Sequence, residues 1–355
     1  MDLTTLDGTR AIYPAHLPAV TELEQLSGGN ANYVWRAHLS SPLEDGSQTL
    51  VIKHAEAHLK INPNSQLDDM RMEDEHAALG LFAKGGPLHE VVRDDTRIVY
   101  VPSIYHYDAT TKTLYMSDAG VGRPTLKEFL INPAFAANNI DSQRLRDLGR
   151  AIGGFLRTLH DTGRDNLTRL NGVLNEKLGP LTKQQLICEY YYKQYRGVIS
   201  KLGIIGMDQA VAAVEAFAAS DAFYARETFV MGDFWPGNLL VDAESLGCAC
   251  VVDWEMARIG VPTLDVSQFC AELYMAEKFK GSAAAKEVMK GLIEAYGVDR
   301  LDLQAFAVGL AMHVAVVGTN YGWETDQEKL REVVRGAAIY AASALDADFV
   351  RTVFV

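Results

Sequence analysis

The sequence has few cysteines, no excess of positive charge and no long uninterrupted apolar run. Its four cysteines, Cys188, Cys248, Cys250 and Cys270, show no disulfide framework, which argues against a disulfide-bonded scaffold and fits a reducing compartment. Cys248 and Cys250 lie in an apolar run, so we interpret them as small buried residues of a strand. A metal site would need a second Cys/His pair at matching spacing, and none follows in the chain.

The formal net charge of −13 argues against a nucleic-acid-binding protein, because such a protein needs a basic face. The start of the chain lacks the basic region and apolar stretch of a signal peptide. The longest apolar tract, from Phe306 to Val317, is interrupted by His313 and is too short to span a bilayer, so it predicts a buried helix. We expect a cytoplasmic monomer or homodimer with no nucleic-acid or membrane partner.

The order of predicted elements changes near residue 120. Residues 20–120 are rich in strand signals, with strands predicted at 32–39, 48–53, 97–101 and 113–116 and a helix at 71–82. The first two strands flank a turn and predict a hairpin. From about residue 123 apolar residues recur with helical spacing, at 144–160, 181–202, 207–223, 265–279, 283–296, 303–317 and 326–345. Two short strands, at 239–241 and 250–252, interrupt these helices.

These two strands carry the polar residues that point to a chemistry. A Pro-Gly loop before the first strand holds Asp233 and Asn238, and Asp253 ends the second strand. Loops of adjacent strands can bring two carboxylates and an amide together. Phosphoryl transfer needs this set, because one carboxylate takes the acceptor proton while an amide oxygen and a second carboxylate hold Mg²⁺. A single Asp in a Pro-Gly loop is more typical of turn chemistry, so the prediction depends on the whole pattern.

The pattern from Met231 to Asn238, with Asp253 after an apolar strand, resembles the aminoglycoside phosphotransferase/choline kinase superfamily. The resemblance implies an α+β, bilobal protein-kinase-like fold, with an antiparallel β-sheet N-terminal lobe and a mainly helical C-terminal lobe. We place the nucleotide-binding lobe at 1–118 and the catalytic and acceptor-binding lobe at 119–355. The family's catalytic loop usually reads His-Gly-Asp-x4-Asn, which implies that Asp233 is the catalytic base, Asn238 a metal ligand and Asp253 the principal metal ligand.

Asp253-Trp-Glu255 resembles the methylthioribose kinase branch, which implies that Glu255 adds to the metal or substrate site. A salt-bridged loop residue is the alternative for Glu255. Met231 stands where the family usually has histidine, and a similar Met loop is known in the fungal hydroxytryptamine kinase branch. Asp265 resembles the aspartate that supports the catalytic loop.

The strand-rich lobe contains the matching nucleotide motifs. Gly28, Gly29 and Asn30 lie in a segment similar to the Gly-Gly-Asn-x-Asn-Tyr-Val of methylthioribose kinases, and paired glycines let the backbone approach phosphates. Taken alone, they also suit a hairpin turn. Lys53 at a strand end and Glu75 on the following helix look like the lysine that grips the α- and β-phosphates and the glutamate that positions it.

Three further expectations follow from the family layout. Glu73 is an alternative to Glu75 as the partner of the strand lysine. Backbone groups near Met116 and Asp118 fall at the hinge that binds adenine. The candidate acceptor residues are Trp235 in the catalytic loop and Tyr321 and Trp323 in a late loop, with core packing and an ordinary helix connection as the alternatives; Tyr190–Tyr192 could face the same cleft.

The resemblance follows the chain in order but does not reach the substrate. The chain has no activation segment ending in an Ala-Pro-Glu-like motif, which argues against a protein kinase. We therefore predict an ATP- and Mg²⁺-dependent kinase that phosphorylates a hydroxyl group of a small metabolite, an amine-bearing alcohol or a sugar. Met231 motivates the alternative, a nucleotide-binding pseudokinase with a regulatory or scaffold role.

Overall fold

The computed structural model describes residues 2–26, 29, 31–92, 98–136, 141–343 and 346–354. Before residue 119 the described elements are α1 (Leu6–Ala11), β1 (Val20–Gln25), β2 (Tyr33–Leu39), β3 (Thr49–His54), β4 (His58–Leu59), β5 (Asn62–Gln66), α2 (Arg71–Gly80), α3 (His89–Val92), β6 (Val99–Tyr100), β7 (Ile104–Asp108) and β8 (Thr113–Ser117). The predicted hairpin and the helix after it are confirmed by β2, β3 and α2.

Five of these strands form one antiparallel sheet in the order β1-β2-β3-β8-β7. Because side chains alternate along a strand, Leu50 and Ile52 of β3 lie on one face of the sheet and Val51 and Lys53 on the other. The first face packs with Trp35 in a small core of its own. The second face belongs to the main core of the protein. This alternation directs Lys53 towards α2 and the helical lobe.

After residue 119 the chain is mainly helical, which confirms the predicted fold class. The described elements there are α4 (Leu126–Ile131), α5 (Pro133–Ala136), α6 (Ser142–Asp165), α7 (Leu167–Leu170), β9 (Lys177–Leu178), β10 (Leu181–Thr182), α8 (Lys183–Tyr190), α9 (Tyr195–Lys201), α10 (Asp208–Ala218), β11 (Thr228–Val230), β12 (Leu239–Val241), β13 (Ala249–Val251), β14 (Arg258–Gly260), α11 (Pro262–Lys280), α12 (Ala283–Tyr296), α13 (Leu303–Asn320), α14 (Gln327–Ala342) and α15 (Ala347–Phe354). Short 3-10 turns lie at 192–194, 236–238 and 298–300.

The two lobes share one small sheet. β6 precedes residue 119, yet it pairs in parallel with β13, where Val99 lies opposite Ala249. β13 also pairs with β12, so the three strands run in the order β12-β13-β6. β8 ends at Ser117, next to the boundary predicted at 118/119, which stays a prediction.

The apolar tract predicted as a buried helix forms α13. This helix, Leu303–Asn320, is long and apolar enough to cross a membrane, but 72% of its apolar window is buried inside the protein. α13 packs against α11 and α14. We therefore describe it as the central helix of the helical lobe.

The single helix predicted at 181–202 is wrong, because the structure breaks it at three consecutive tyrosines. α8 ends at Tyr190, and a 3-10 turn separates it from α9. Tyr190 is 68% exposed, whereas the Tyr192 ring is buried 4.7 Å from the ring of Phe223. Both Tyr191 and Tyr192 line the cavity beside this break.

Close packing of α6 against α12 organises the base of the helical lobe. A Cβ atom on Gly153 would lie 2.2 Å from the carbonyl oxygen of Leu292, and one on Gly149 would lie 2.1 Å from that of Val288. On α12, a Cβ atom on Gly291 would lie 2.0 Å from the carbonyl oxygen of Arg146. The two backbones therefore touch, and these positions have no room for any side chain.

We predict that Gly153→Ala lowers the free energy of unfolding by about 1–3 kcal/mol, because the new methyl group forces the two helices apart. Gly154→Ala is the matched control, since a Cβ atom there meets nothing within 4 Å. The control should gain about 0.5–1 kcal/mol, as alanine favours a helix over glycine. Denaturant unfolding measures both values, and equal stability of the two variants would contradict the packing described.

Candidate active site

The ammonium group of Lys53 joins the two lobes. Its Nζ lies 2.5 Å from Oε2 of Glu75 on α2 and 2.5 Å from Oδ1 of Asp253 after β13. Glu73, the alternative partner, instead lies 3.2 Å from Nζ of Lys112. The structure therefore brings Glu75, and not Glu73, to the strand lysine.

Burial and neighbouring charges act in opposite directions on Lys53. Burial alone would lower the pKa of Lys53, but the charges of Asp253 and Glu75 raise that pKa above its usual value. Burial raises the pKa of Glu75, against the effect of the lysine. Lys53 is thus a fixed cation at the lobe junction, suited to bind an anion such as phosphate.

The loop after β11 positions Asp233. One carboxylate oxygen accepts a hydrogen bond from Nε2 of Gln268 at 2.7 Å, and the other accepts one from Nδ2 of Asn238 at 3.1 Å. Burial, and then the negative charge of Asp253, raise the pKa of Asp233 above its usual range. Asp233 is therefore oriented through both oxygens and is a stronger base than an ordinary aspartate.

A buried carboxylate holds the start of this loop. Asp265 accepts hydrogen bonds from the backbone amides of Met231 at 2.9 Å and Gly232 at 3.0 Å. Nε2 of His160 lies 3.4 Å from the same carboxylate. The side chain of Met231 is fully buried, so the loop uses the backbone of this residue and not a polar side chain. This arrangement explains how methionine can occupy the position where the family usually has histidine.

Glycine is required at the second position of the loop. Gly232 has a φ of 80°, in the left-handed region that favours glycine. A Cβ atom there would lie 1.9 Å from Nη1 of Arg258 and 2.4 Å from the carbonyl oxygen of Met256. The backbone therefore passes directly over Arg258 before it reaches Asp233.

The β12–β13 hairpin brings Asn238 next to Asp253. The backbone amide of Val252 donates to the carbonyl of Asn238 at 2.9 Å. The amide nitrogen of the Asn238 side chain binds Asp233, as described above, so its oxygen is the atom left for a cation. Asp253 has a φ of 69°, in the left-handed region that is unusual for a residue other than glycine.

Glu255 binds two residues of the N-terminal lobe. Its Oε2 accepts a hydrogen bond from Nδ2 of Asn32 at 2.7 Å and lies 3.8 Å from Nε of Arg71. Arg71 also donates to Oδ1 of Asn32 at 2.9 Å. Sequence reasoning missed Asn32 and Arg71 as site residues. Asn32 stands inside the glycine-rich segment and could have been found there, whereas Arg71 lies in no recognisable pattern.

Acidic groups outnumber basic ones where a metal ion would bind. Oxygen atoms of Glu75, Asp253 and Glu255 all lie within 4.8 Å of one another. Lys53 and Arg71 are the cations paired with them. Burial, and then the charge of Asp253, raise the pKa of Glu255 to about 7. These carboxylates fit Mg²⁺, which prefers hard oxygen ligands and would relieve the excess of negative charge.

The predicted phosphate-binding residues Gly28 and Asn30 lie outside the described residues. Gly29 is described, is exposed and has a φ of 72°, which favours glycine. Asn32, later in the same motif, points inwards to Glu255. The described part of the motif thus reaches the carboxylate cluster at Asn32.

The predicted hinge follows β8. Met116 lies within β8, paired with Val51 of β3. The Asp118 side chain forms an ion pair with Arg36, at 2.5 Å between Oδ2 and Nε, and also accepts from the amide of Gly120 at 3.0 Å. The hinge prediction for Asp118 thus concerns its backbone, because its carboxylate is bound to protein groups.

A cavity of about 860 Å³ lies beside the catalytic loop, with Asp233 in its wall. The β4–β5 and β9–β10 hairpins and the helices α8, α11 and α13 surround it. Most of its lining is apolar or aromatic, including Leu59, Leu178, Leu186, Ile187, Tyr190, Tyr191, Met256, Leu264, Met312 and Tyr321. Asp68, Asp69, Gln268 and His313 supply polar groups. The cavity is suited to an acceptor whose hydroxyl group reaches Asp233.

The predicted acceptor residues separate into two groups. Tyr321 and the tyrosines at 190–192 line the cavity. Trp235 and Trp323 lie elsewhere among the described residues, with Nζ of Lys127 at 4.9 Å and 4.2 Å from their ring centroids. Both tryptophan rings thus form cation–π contacts with Lys127 of the same chain.

His313 of the cavity wall was not identified from the sequence as a site residue. Its Nε2 lies 2.8 Å from Oε1 of the buried Glu272. Glu272 in turn lies 3.3 Å from Nζ of Lys127. The sequence around His313 gives no sign that this residue lines the cavity, because its polar partners come from other helices: Glu272 from α11 and, through Glu272, Lys127 from α4.

Comparisons with known proteins identify the family of the chain. A profile of the family described as "Phosphotransferase enzyme family" matches residues 22–306. The chain is 26% identical to the 4-hydroxytryptamine kinase of Psilocybe cubensis over 353 residues, 96% of this chain and 93% of that protein. The alternative of a pseudokinase finds no support in these relatives.

Solved structures share the fold of the whole chain. The GDP complex of an aminoglycoside 2'-phosphotransferase of type IIIa aligns with a TM-score of 0.54 at 14% identity, over 94% of this chain and 98% of that one. The complex of the aminoglycoside phosphotransferase APH(4)-Ia with ADP and hygromycin B aligns with a TM-score of 0.53 at 13% identity, over 92% and 96%. Both likenesses show the kinase-like fold.

We predict that MgCl₂ raises the thermal stability of the protein and that Glu255→Gln reduces this gain. A cation at a hundredfold its Kd would add about 2.7 kcal/mol to the free energy of unfolding. Removing one carboxylate lowers the charge that attracts the cation. Glu244→Gln, on an exposed turn, is the control and should keep the full gain. An equal gain in the Glu255 variant would argue against the cluster as the cation site.

Proposed function

Since the chain belongs to the phosphotransferase enzyme family and is a phosphotransferase acting on a hydroxyl group, we propose that it transfers the γ-phosphoryl group of ATP to a hydroxylated aromatic amine. The observation that supports this best is the position of Asp233, whose carboxylate lies in the cavity wall beside the Asp253 loop. Mg²⁺ would be held by Asp253, Glu255 and Asn238, with Glu75 at the edge of the cluster. When bound, it would neutralise charge on the phosphates.

The residues of the chain then have separate tasks. Lys53, held by Glu75, binds the phosphates through its charge. The acceptor hydroxyl donates its hydrogen to Asp233, which Gln268 and Asn238 keep in one orientation. The acceptor oxygen forms a bond to the γ-phosphorus, the bond between that phosphorus and the bridging oxygen of ADP breaks, and the proton moves to Asp233. The raised pKa of Asp233 favours this last step.

Two features favour an aromatic amine as acceptor over a sugar. The cavity wall is mainly apolar and aromatic, whereas a sugar needs many polar partners. Asp68, Asp69, Asp233 and Asp265 place four carboxylates in the lining against one guanidinium group, that of Arg258, and this balance favours a cationic acceptor. The similarity to a protein named 4-hydroxytryptamine kinase, over 96% of this chain, supports the same class of acceptor.

We predict that Asp233→Asn lowers kcat by about 10²–10⁴-fold, because the amide cannot accept the proton. The size of the side chain is preserved, but its NH₂ group faces a donor of Gln268 or Asn238, so the free energy of unfolding should fall by about 1–3 kcal/mol while binding of Mg-ATP stays close to wild type. Asp221→Asn on the surface is the control, with kcat unchanged. Turnover of the Asp233 variant at the wild-type rate would exclude Asp233 as the base.

An acceptor panel tests the substrate class directly. ADP release should be fastest with hydroxylated arylalkylamines, slower with aliphatic amino alcohols, and slowest with neutral sugars. Mass spectrometry of the product should show the mass added by one phosphate ester. Preferential turnover of sugars would overturn the acceptor proposal while leaving the phosphotransferase assignment in place.

A further inference from the structure

A buried ion pair joins α2 to the helix that forms one wall of the acceptor cavity. Nζ of Lys183, the first residue of α8, lies 3.1 Å from Oδ2 of Asp74 on α2. The same Nζ donates to the carbonyl oxygen of Ala257 at 3.0 Å. The side chains of Lys183 and Asp74 are 0% and 3% exposed. Burying an ammonium group costs desolvation free energy. Both partners of Lys183 lie close in sequence to active-site residues, Asp74 next to Glu75 and Ala257 four residues after Asp253.

The contacts of Lys183 run parallel to those of Lys53. Lys53 connects Glu75 with Asp253. Lys183 connects Asp74, the residue before Glu75, with Ala257, on the segment that follows Asp253. Each lysine therefore joins α2 to the segment after β13. Lys53 does so through Glu75 and Asp253, and Lys183 does so through Asp74 and Ala257.

Among the described residues, the other ion pair between α2 and the helical lobe is the longer one of Arg71 with Glu255, at 3.8 Å in the first turn of α2. Asp74 and Glu75 are neighbours on a helix, so their side chains point about 100° apart. Glu75 faces Lys53, and its second oxygen accepts a weak bond from the amide of Trp254 at 3.4 Å. On its other faces α2 is held within its own lobe, for example by stacking of His76 on Tyr107 at 4.4 Å between centroids. A shift of Asp74 away from the helical lobe would therefore turn Glu75 away from Lys53.

We propose that Lys183 is a positioning residue for nucleotide binding: by holding Asp74 and the carbonyl of Ala257, it keeps Glu75 and Asp253 on the two sides of Lys53. A buried ion pair is weak support for stability, because apolar residues of similar volume are often equally stable. The directed contacts of Lys183 instead determine where α2 stands against the helical lobe. α8 keeps its own N-terminal capping box of Thr182 and Gln185, so the start of this helix does not depend on the pair.

Equilibrium titration with Mg-ADP tests this inference, which rests on the proposed function. Lys183→Met should raise the Kd for Mg-ADP by about tenfold, a coupling typical of residues in contact. The same variant leaves Asp74 buried without a partner and will also be less stable. A second variant, Lys183→Met with Asp74→Leu, removes both charges and should recover most of the thermal stability. Its Kd should stay about tenfold raised, because the contact with Ala257 is still missing.

The recovered stability separates positioning from a merely structural role. If Kd returns to the wild-type value together with Tm in the double variant, the pair only packs the lobes and the inference is wrong. Arg146→Met with Glu287→Leu is the matched control, since it removes an ion pair of 2.6 Å between α6 and α12. Its Kd should not change. Failure of the wild type to bind Mg-ADP would instead contradict the proposed function.

Kinetics give a second readout. Lys183→Met should raise KM for ATP by about tenfold and KM for the acceptor by clearly less, because Lys183 reaches the cavity wall only through the backbone of Ala257, between the lining residues Met256 and Arg258. Lys183→Arg retains a charge near Asp74 and should recover part of the ATP affinity. Equal increases in both KM values would contradict a role confined to the nucleotide side.

Discussion

The contacts of the Lys53 ammonium group, at 2.5 Å to Glu75 and 2.5 Å to Asp253, join a strand, a helix and a loop that lie up to 200 residues apart. Each element has a reason to meet there. The alternation of β3 turns Lys53 inwards, α2 carries Glu75 towards it, and the shared sheet of β6, β12 and β13 brings Asp253 beneath the N-terminal lobe. The pair of carboxylates keeps the lysine charged in a buried place, where it would otherwise be too costly.

The catalytic loop is held by a second set of contacts. Asp265 on α11 accepts hydrogen bonds from the backbone amides of Met231 and Gly232 at the start of the loop. Because these bonds use backbone atoms, the side chain at position 231 is free to be apolar and to pack in the core. The substitution that motivated the pseudokinase alternative therefore leaves the position of Asp233 intact. Contacts connect Asp233 with Asn238, Asn238 with the strand end before Asp253, and Asp253 with Lys53.

The cavity beside Asp233 has walls from several separate parts of the chain. The β4–β5 and β9–β10 hairpins and the break between α8 and α9 all contribute to them. The break between α8 and α9 leaves Tyr190, Tyr191 and Tyr192 in the cavity wall, and the ring of Tyr192 also packs on Phe223 in the core. The helix that begins with the buried Lys183 thus ends in the acceptor wall, so nucleotide and acceptor sites share one structural element.

The sequence alone determined the two-lobed fold class, the order of the motifs and the reaction type, because strand alternation, helical spacing and the Asp-x4-Asn loop are local patterns. It also predicts a cytoplasmic monomer or homodimer, which stays a prediction. Only the tertiary structure decided that Glu75 and not Glu73 meets Lys53, that Asn32 and Arg71 hold Glu255, and that Tyr321 but not Trp235 or Trp323 lines the cavity. Each of these contacts joins residues that are far apart in the sequence. A local sequence pattern does not determine which distant segments meet in the folded protein.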